Sequence, residues 1–384
     1  MRSKHNTLIY IGISIIFLIA NTGMASANDI NVYPENSIQA AVKNASFGST
    51  IIVHPGIYSE NIEINKSLSI ISKSGNPNDT IIKAENSNYH IFHVNASNVT
   101  ICGFTITGAF EEPESHYFPD SGINVSTFNE TTGKDEVVYS SDGQWGIVPK
   151  NWAGICVDGT DNNIITDNTI LGNNRGILIK SSNNNLIENN TAINNDGAIS
   201  IWYSSDFNSI INNKISFDEI TMNKYGISLI ESKHNEIHNN NLLNLDIILL
   251  QSDDNNVINN TINFGVWGIH LIESTSNDVC CNSISETSNG IILRKDSNSN
   301  ALSDNVLFEN SMGIRLESCS NNNTISENIL KNEEEIYFSD CSDNNNIYKN
   351  KIDYSKYLTR PYAIIMISVS AVIIVYVFIL LLRK

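Results

Sequence analysis

Cysteine is scarce in this chain, six in 384 residues, and none of Cys102, Cys156, Cys280, Cys281, Cys319 and Cys341 forms a Cys-x-x-Cys pair or a metal-type spacing. That excludes a zinc ribbon and a thioredoxin-like redox motif. Positive charge is scarce as well: 23 Lys and Arg stand against 41 Asp and Glu, for a net charge of -18 and a pI near 4.7. Nucleic acid and anionic lipid are thereby excluded as partners, because their phosphates repel such a surface. Helical periodicity is nearly missing too, since only Ser37 to Val42 reads as a soluble helix, with Ser37 as its N-cap. Leucine-rich and helical repeats go with it.

Long apolar runs occur only at the two ends. Arg2 and Lys4 precede an apolar run from Leu8 to Ala20, and Ala25-Ser26-Ala27 supplies small residues for a signal peptidase. Residues 1–27 therefore read as a secretory signal, with an uncleaved N-terminal anchor as the alternative. Tyr362 to Leu382 carries no charge over a length sufficient to cross a bilayer core of roughly 30 Å. It is expected to be a single transmembrane helix at 362–382, after a juxtamembrane linker at 356–361. Arg383 and Lys384 would form the cytoplasmic tail at 383–384. A sorting signal cut and replaced by an anchor is the alternative there. The expected location is the cell surface or another extracytoplasmic setting.

Between the ends, a phrase recurs. Gly154, Gly176, Gly197, Gly226, Gly268, Gly290 and Gly313 each open a Gly-aliphatic phrase such as GILI, GIHL or GIRL, with Ile247 and Ile336 in the same register. Successive starts lie 21 to 23 residues apart, with one interval of 29. A second phrase, Asn-x-aliphatic-x-x-Asn, follows each of the nine starts. Its first asparagines are Asn163, Asn185, Asn208, Asn235, Asn255, Asn277, Asn300, Asn323 and Asn345.

Residues two apart on a strand share a face, so each asparagine points inward with the aliphatic residue that follows it. A buried amide is costly unless bonded, but amides stacked on identical amides in neighbouring coils donate and accept along the stack. Asparagine also tolerates the left-handed backbone of tight corners. The pattern predicts an all-β parallel β-helix with three strands per coil and structural asparagine ladders at its corners. Nine coils at roughly 4.8 Å each occupy 154–355.

Ahead of them, residues 28–109 are expected to hold an N-terminal cap, made by the helix at Ser37, and the first coils. Strands are expected at Thr50 to His54, Leu68 to Ile71, Ile91 to Val94 and Val99 to Ile106. An irregular aromatic and acidic insertion at 110–153 interrupts the repeats. The stretch SIQAAVKNASFGSTIIVHPGIYSENIEINKSLSII resembles the opening of pectin-lyase-like right-handed parallel β-helix proteins, and the coils resemble NosD-type surface proteins with carbohydrate-binding and sugar-hydrolase repeats. The resemblance implies a cell-surface or periplasmic setting, carbohydrate handling in some members, and a copper-supply role in the NosD branch.

Enzymes of this fold class place clustered carboxylates with Arg, Lys or calcium on the outer face of one sheet, so the resemblance directs attention to the Gly-led strand. Four residues after each start the column runs Asp158, Lys180, Ile201, Ile230, Gln251, Ile272, Arg294, Glu317 and Asp340. Two residues after, it includes Ile199, Leu249, His270 and Arg315. Glu317 and Asp340, stacked on neighbouring coils beside Arg294 and Arg315, are the candidate catalytic group, at a separation that suits paired carboxylates. The competing reading is a charge ladder on a solvated face. Gly-His-Gly, Arg-Ile-Lys and Asn-Thr-Asp, the phrases of the galacturonase class, are absent.

Ile199, Ile201, Ile230, Leu249 and Ile272 would form an exposed apolar patch that wants cover. The insertion is the candidate cover, and its Tyr117, Tyr139, Trp145 and Trp152 are candidate glycan-binding residues; packing on the solenoid is the alternative. His90 and His93, three apart, are expected on opposite faces, so no metal site is assigned. Cys319 and Cys341 stack one coil apart, as a disulfide or as a pair of thiols. Asn-x-Ser/Thr sequons, among them Asn189, Asn259 and Asn322, permit glycosylation if the host performs it.

Three functions remain open from sequence: a noncatalytic scaffold binding envelope polysaccharide or glycoprotein, a polysaccharide lyase or glycoside hydrolase acting on acidic polysaccharide, and a NosD-like copper-supply accessory. Calcium would enter only with lyase chemistry, and copper only with the third.

Overall fold

The computed structural model describes residues 28–111, 114–117, 145–148, 151–220, 224–339 and 341–352. Within them the chain winds into a parallel β-solenoid with three strand columns. One column is a 13-stranded sheet running from Asp29–Val32 to Asn346–Tyr348, one strand per winding, all parallel. The other two columns are hydrogen-bonded into a single 21-stranded sheet. They merge because Thr261–Ile272 and Ser283–Arg294 run unbroken through the corner between the columns.

Each winding follows the predicted order. The Gly-led strand Arg175–Lys180 is followed by Leu186–Glu188 of the 13-stranded sheet, then by Thr191–Ile193. Like residues meet like: Ile177 pairs with Ile155 above and Ile199 below, and Ile187 with Ile165 and Ile210. These aliphatic side chains are fully buried and fill the interior. A glycine opens the strand because the coils nearly touch there: a Cβ on Gly176 would sit 2.4 Å from the carbonyl oxygen of Ala198.

The asparagine ladders run inside the corners. Asn185 Nδ2 donates to Oδ1 of Asn208 at 2.9 Å, and the Asn185 backbone N–H donates to the same oxygen. Asn190 repeats this with Asn213, and its Nδ2 also donates to the carbonyl of Ile165 at 2.8 Å. Side-chain amides thus replace the backbone partners that a turning chain gives up. The left-handed residue is not the ladder asparagine but the one before it: Asn184, Phe207, His234 and Ser276 in one column, Asn189, Cys281 and Lys349 in the other. Placing phenylalanine or lysine there costs about 1 kcal/mol each, and the bonded amide next to it offsets that cost.

Two further ladders escaped the sequence reading. Ser182, Ser205, Ser232, Ser252, Ser274 and Ser297 form a serine column in which each backbone N–H donates to the next hydroxyl, as Ser182 does to Ser205 at 3.1 Å. A third, interrupted asparagine column joins Asn173 to Asn195 and Asn310 to Asn332, and Glu335 closes its last rung by accepting from Asn332. The Ser-x-x-Asn spacing stands in eight of the nine coils, with Thr160 in place of serine in the first, and discloses the first of these.

The helix spans Ile38–Asn44, with Ser37 accepting from the Ala40 N–H, and buries Ile38, Ala41 and Val42 against the first windings. The expected single strand from Val99 to Ile106 is two strands of different columns, Thr100–Cys102 and Thr105–Thr107, because Gly103 turns the chain at φ +85°. Among the described residues no helix is long and apolar enough to cross a membrane, and the run at 362–382 lies outside them, as does the expected signal segment at 1–27. Cys319 and Cys341 form a disulfide with a Cα separation of 4.6 Å, which a one-winding offset in register supplies directly.

Candidate functional site

The outer face of the Gly-led column follows from pairing register, and here the expectation needs correction. Ile155, Ile177, Ile199, Ile227, Ile247, Ile269, Ile291, Ile314 and Ile336 share one inward row. The glycine position is therefore held by Ala198, Asp246 and Glu335 in the three coils read one residue out of phase. A slip of one residue reverses the face of every side chain in a strand. Ile199, Ile201 and Leu249 accordingly lie inside, fully buried, and the outward residues are Ser200, Trp202, Ile248 and Leu250. Only Ile230 and Ile272 of the expected apolar patch remain outside, half-buried.

Trp202 is the principal gain. It packs with Cys156 and Leu178 in a buried cluster, and the guanidinium carbon of Arg175 lies 5.1 Å from its ring centroid. Its Nε1 reaches toward the Ser228 hydroxyl at 3.4 Å. Asp246, in the glycine position between Gly226 and Gly268, is buried, and Oδ1 has no hydrogen-bond partner. Burial pushes its carboxyl pKa up to about 7.

Three windings beyond Asp246, three members of the predicted charged group, Arg294, Arg315 and Glu317, come together. Glu317 is buried and bracketed by two cations: Oε2 lies 2.6 Å from Arg315 Nη2, and Oε1 contacts Arg294 Nε. Arg315 also lies over Tyr337, at 5.5 Å from the ring centroid. Asp340 lies outside the described residues; the pairing of Leu316 with Phe338 puts Ser339 beside Glu317, and the Ser339 hydroxyl accepts from the Ser318 N–H at 3.2 Å. On the same face His270 is 3 % exposed, with Trp267 at 5.1 Å between ring centroids and neither ring nitrogen hydrogen-bonded. Burial first, and Arg294 second, lower its pKa to about 3, so the ring is neutral.

Of the insertion's aromatics, Trp152 packs on the core, donates from Nε1 to Glu111 Oε2 at 3.0 Å and stacks on Tyr89 at 5.7 Å. Tyr117 and Trp145 are register partners in a two-stranded antiparallel sheet, Glu114–Tyr117 with Trp145–Val148. Tyr139 lies outside the described residues.

His90 and His93 are not on opposite faces: their rings are 5.3 Å apart. His90 precedes the strand Phe92–Val94, so strand alternation does not reach it. Its Nδ1 accepts the Ala153 N–H at 2.9 Å, and burial, with His93 second, lowers its pKa to about 3. His93 faces Glu63 at 3.2 Å.

A family model described as "Periplasmic copper-binding protein (NosD)" matches residues 42–247 and 244–360. A cell surface glycoprotein of Methanothermus fervidus is 35% identical over 105 residues, which are 27% of this chain and 17% of that protein. This chain thus matches less than a fifth of that relative's length. Among solved structures, a DFA-IIIase from Arthrobacter chlorophenolicus A6 without its lid is 14% identical with a TM-score of 0.57, covering 85% of this chain and 99% of that one. The A-module of a mannuronan C-5 epimerase from Azotobacter vinelandii is 14% identical with a TM-score of 0.53, covering 82% and 94%. At such identities these structures share the fold alone.

The family description raises copper. Copper sites assemble several imidazole or sulfur donors at one point, and among the described residues no three His, Cys, Asp or Glu side chains converge. The Cys280 thiol is pushed up to about 12 by burial and its neighbour Cys281, and His90 spends its Nδ1 on the backbone. The described donor set does not fit the metal.

Proposed function

The chain belongs to the NosD family, and from that premise we propose that it is an extracytoplasmic, membrane-anchored solenoid that binds glycans or envelope polymers without cleaving them. The family's periplasmic description and the relative named as a cell surface glycoprotein support the location. The apolar segments at the two ends support secretion and anchoring. The helix at Ile38–Asn44 would close the N-terminal end of the rod, which otherwise exposes an apolar cross-section.

The observation that carries the binding reading is the outer face of the Gly-led column. It carries Trp202 beside Arg175 and, further along the rod, Trp267 beside His270 and Tyr337 beside Arg315, with Arg294 on the same face. Aromatic rings and guanidiniums are the groups that bind sugar rings and their acidic substituents. The noncatalytic half of the proposal rests on Glu317. Both of its oxygens are engaged by arginine, which leaves it poorly placed to carry or take a proton from a glycosidic oxygen.

The test uses the full-length protein in detergent micelles with a panel of envelope and plant polysaccharides. Retention on one or more polymers with no new reducing or unsaturated ends is the expected result. Cleavage that disappears in Glu317→Gln would overturn the noncatalytic reading, and stoichiometric copper retained after dialysis would replace it with the copper-supply one.

A further inference from the structure

The winding pattern sorts the asparagines of this chain into two chemical classes. In the two ladder columns every asparagine is followed two residues later by an aliphatic one, as Asn185 is by Ile187 and Asn190 by Ala192. Residues two apart on a strand share a face, here the interior, where a serine or threonine would bury an unpaired hydroxyl. No asparagine of these two columns therefore stands in an Asn-x-Ser/Thr sequon. Their amides are closed to N-glycosylation even in an unfolded chain.

Within 154–355 sequons occur at three positions, Asn189, Asn259 and Asn322, and all three read Asn-Asn-Thr. In each, the middle residue is the ladder asparagine, so alternation turns its two neighbours outward. The first asparagine is exposed and left-handed, with φ of 55°, 55° and 58°. Thr191, Thr261 and Thr324 each open a strand and are half-buried. Asn98-Val99-Thr100 has the same arrangement before the ladder begins: Asn98 is exposed at φ 59°, and the Val99 N–H donates to Asn163 Oδ1 at 2.8 Å. Acceptor amide and sequon hydroxyl thus lie outside together, fixed by the buried residue between them. A tight corner accounts for the left-handed asparagine alone. It does not call for threonine two residues on, and the corners of Asn212 and Asn239 carry Lys214 and Asn241 there.

All four positions border the 13-stranded sheet. Asn98 and Asn322 precede its strands Thr100–Cys102 and Thr324–Ser326, whereas Asn189 and Asn259 follow Leu186–Glu188 and Asn256–Ile258. Asn189 and Asn259 share one corner three windings apart, about 14 Å, which gives each substituent its own space. No sequon falls on a Gly-led strand.

We propose that Asn98, Asn189, Asn259 and Asn322 are N-glycosylation sites, whose glycans sheathe the edges of the 13-stranded sheet and leave the Gly-led face open. The assignment rests on the extracytoplasmic reading above, since sequons are modified in exported chains. The donor is an oligosaccharide joined through phosphate or pyrophosphate to a lipid. Asparagine Nδ2 forms a bond to C1 of the first sugar, the bond from C1 to the phosphate oxygen breaks, and the lipid phosphate leaves with that electron pair. One amide proton passes to a base of the transferase. The other stays on Nδ2, so Asn259 can keep its bond to Asn239 Oδ1 at 2.7 Å.

The experiment is peptide mass spectrometry of the full-length protein purified from its own cells, with fragmentation that keeps the glycan on its residue. Protease added to spheroplasts reports separately whether the chain lies outside the cytoplasm. The expected result is a sugar mass on each of the four corner asparagines and on no ladder asparagine. Thr191→Val, Thr261→Val and Thr324→Val remove the hydroxyl and keep a β-branched outward residue. Each should lose the sugar from its own asparagine and leave the other three sites occupied. The parent protein is measured without any variant, so misfolding of one does not spoil the test. Bare corner asparagines on a chain that the protease reaches would overturn the sites and leave the location standing. Sugar on a ladder asparagine, or retained on Asn189 in Thr191→Val, would overturn the sorting by face. A chain protected inside the spheroplast and free of sugar would sink both readings.

Discussion

Glu317 presents one carboxylate oxygen to Arg315 Nη2 at 2.6 Å and the other to Arg294, across a winding boundary. The acid is buried, with 9% of its side chain exposed, whereas the arginines keep 30% and 42%. An ion pair with one partner buried and the other wet is worth more than a surface pair and less than an interior one, about 1 to 2 kcal/mol.

Glu317→Gln should therefore lower the melting temperature by a few degrees and release two guanidiniums. Anionic oligosaccharide should bind at least as tightly as before. Calorimetry on the variant checks this, and weakened binding at unchanged stability would show that the carboxylate itself contacts ligand.

The amide ladder gives a second test. Asn213 Oδ1 accepts both the backbone N–H and the Nδ2 of Asn190, and its own Nδ2 donates to Asn240. Replacing it with leucine strands several buried groups at once, at a cost of about 2 to 4 kcal/mol. Asn345 sits on the last described winding and makes as many bonds, its Oδ1 accepting twice from Asn323 and its Nδ2 donating to the carbonyls of Ser320 and Ser342, but it is half-buried, so water can replace what is lost. Asn345→Leu should cost less than half as much. Thermal melts of the two variants decide, and equal losses would refute the ladder as the source of corner stability.

That contrast also explains what was legible in the sequence. The fold could be read because Asn-x-aliphatic-x-x-Asn keeps one spacing in nine successive windings, so position alone specifies face. The outer face could not, because register was read from glycines. Gly197 lies one residue before its true counterpart Ala198, while Asp246 and Glu335 stand where glycine is usual. One residue of phase hid Trp202 and turned Ile199, Ile201 and Leu249 inside out. Arg294, Arg315 and Glu317 were legible because their coils do begin with glycine. The unsatisfied state of His270 arises between windings, where no single stretch of sequence reports it.

The Cys319–Cys341 bond ties one winding to the next near the end of the described rod. A cross-link of 22 residues separation contributes about 3 kcal/mol in the loop-closure account. Solenoid stability is local to neighbouring repeats, so reduction should free the last windings and spare the rest. Hydrogen exchange under reducing conditions should accelerate across 312–352 and stay unchanged across 154–294. Uniform acceleration along the rod would contradict that locality.

Asp246, His270 and His90 each contribute to the response to pH. For Asp246 the folded pKa of about 7 exceeds the ordinary 3.8, so the folded state holds an extra proton between those values. Stability contributed by this residue falls as pH rises from about 4 to 7 and is level above. The histidines act oppositely: with folded pKa values near 3 against 6.5, the unfolded chain binds the extra protons. Their contribution is complete above pH 6.5 and is lost as pH falls toward 3. Asp246→Asn should therefore stabilise the protein at pH 8, by a few kcal/mol at about 1.4 kcal/mol per pH unit of displacement, and leave it nearly unchanged at pH 4. His270→Phe should do the reverse and flatten the acid limb. Melting temperatures of both variants from pH 4 to 8 check the two slopes, and a gain for Asp246→Asn that is larger at pH 4 than at pH 8 would show that the carboxyl is not held protonated in the fold.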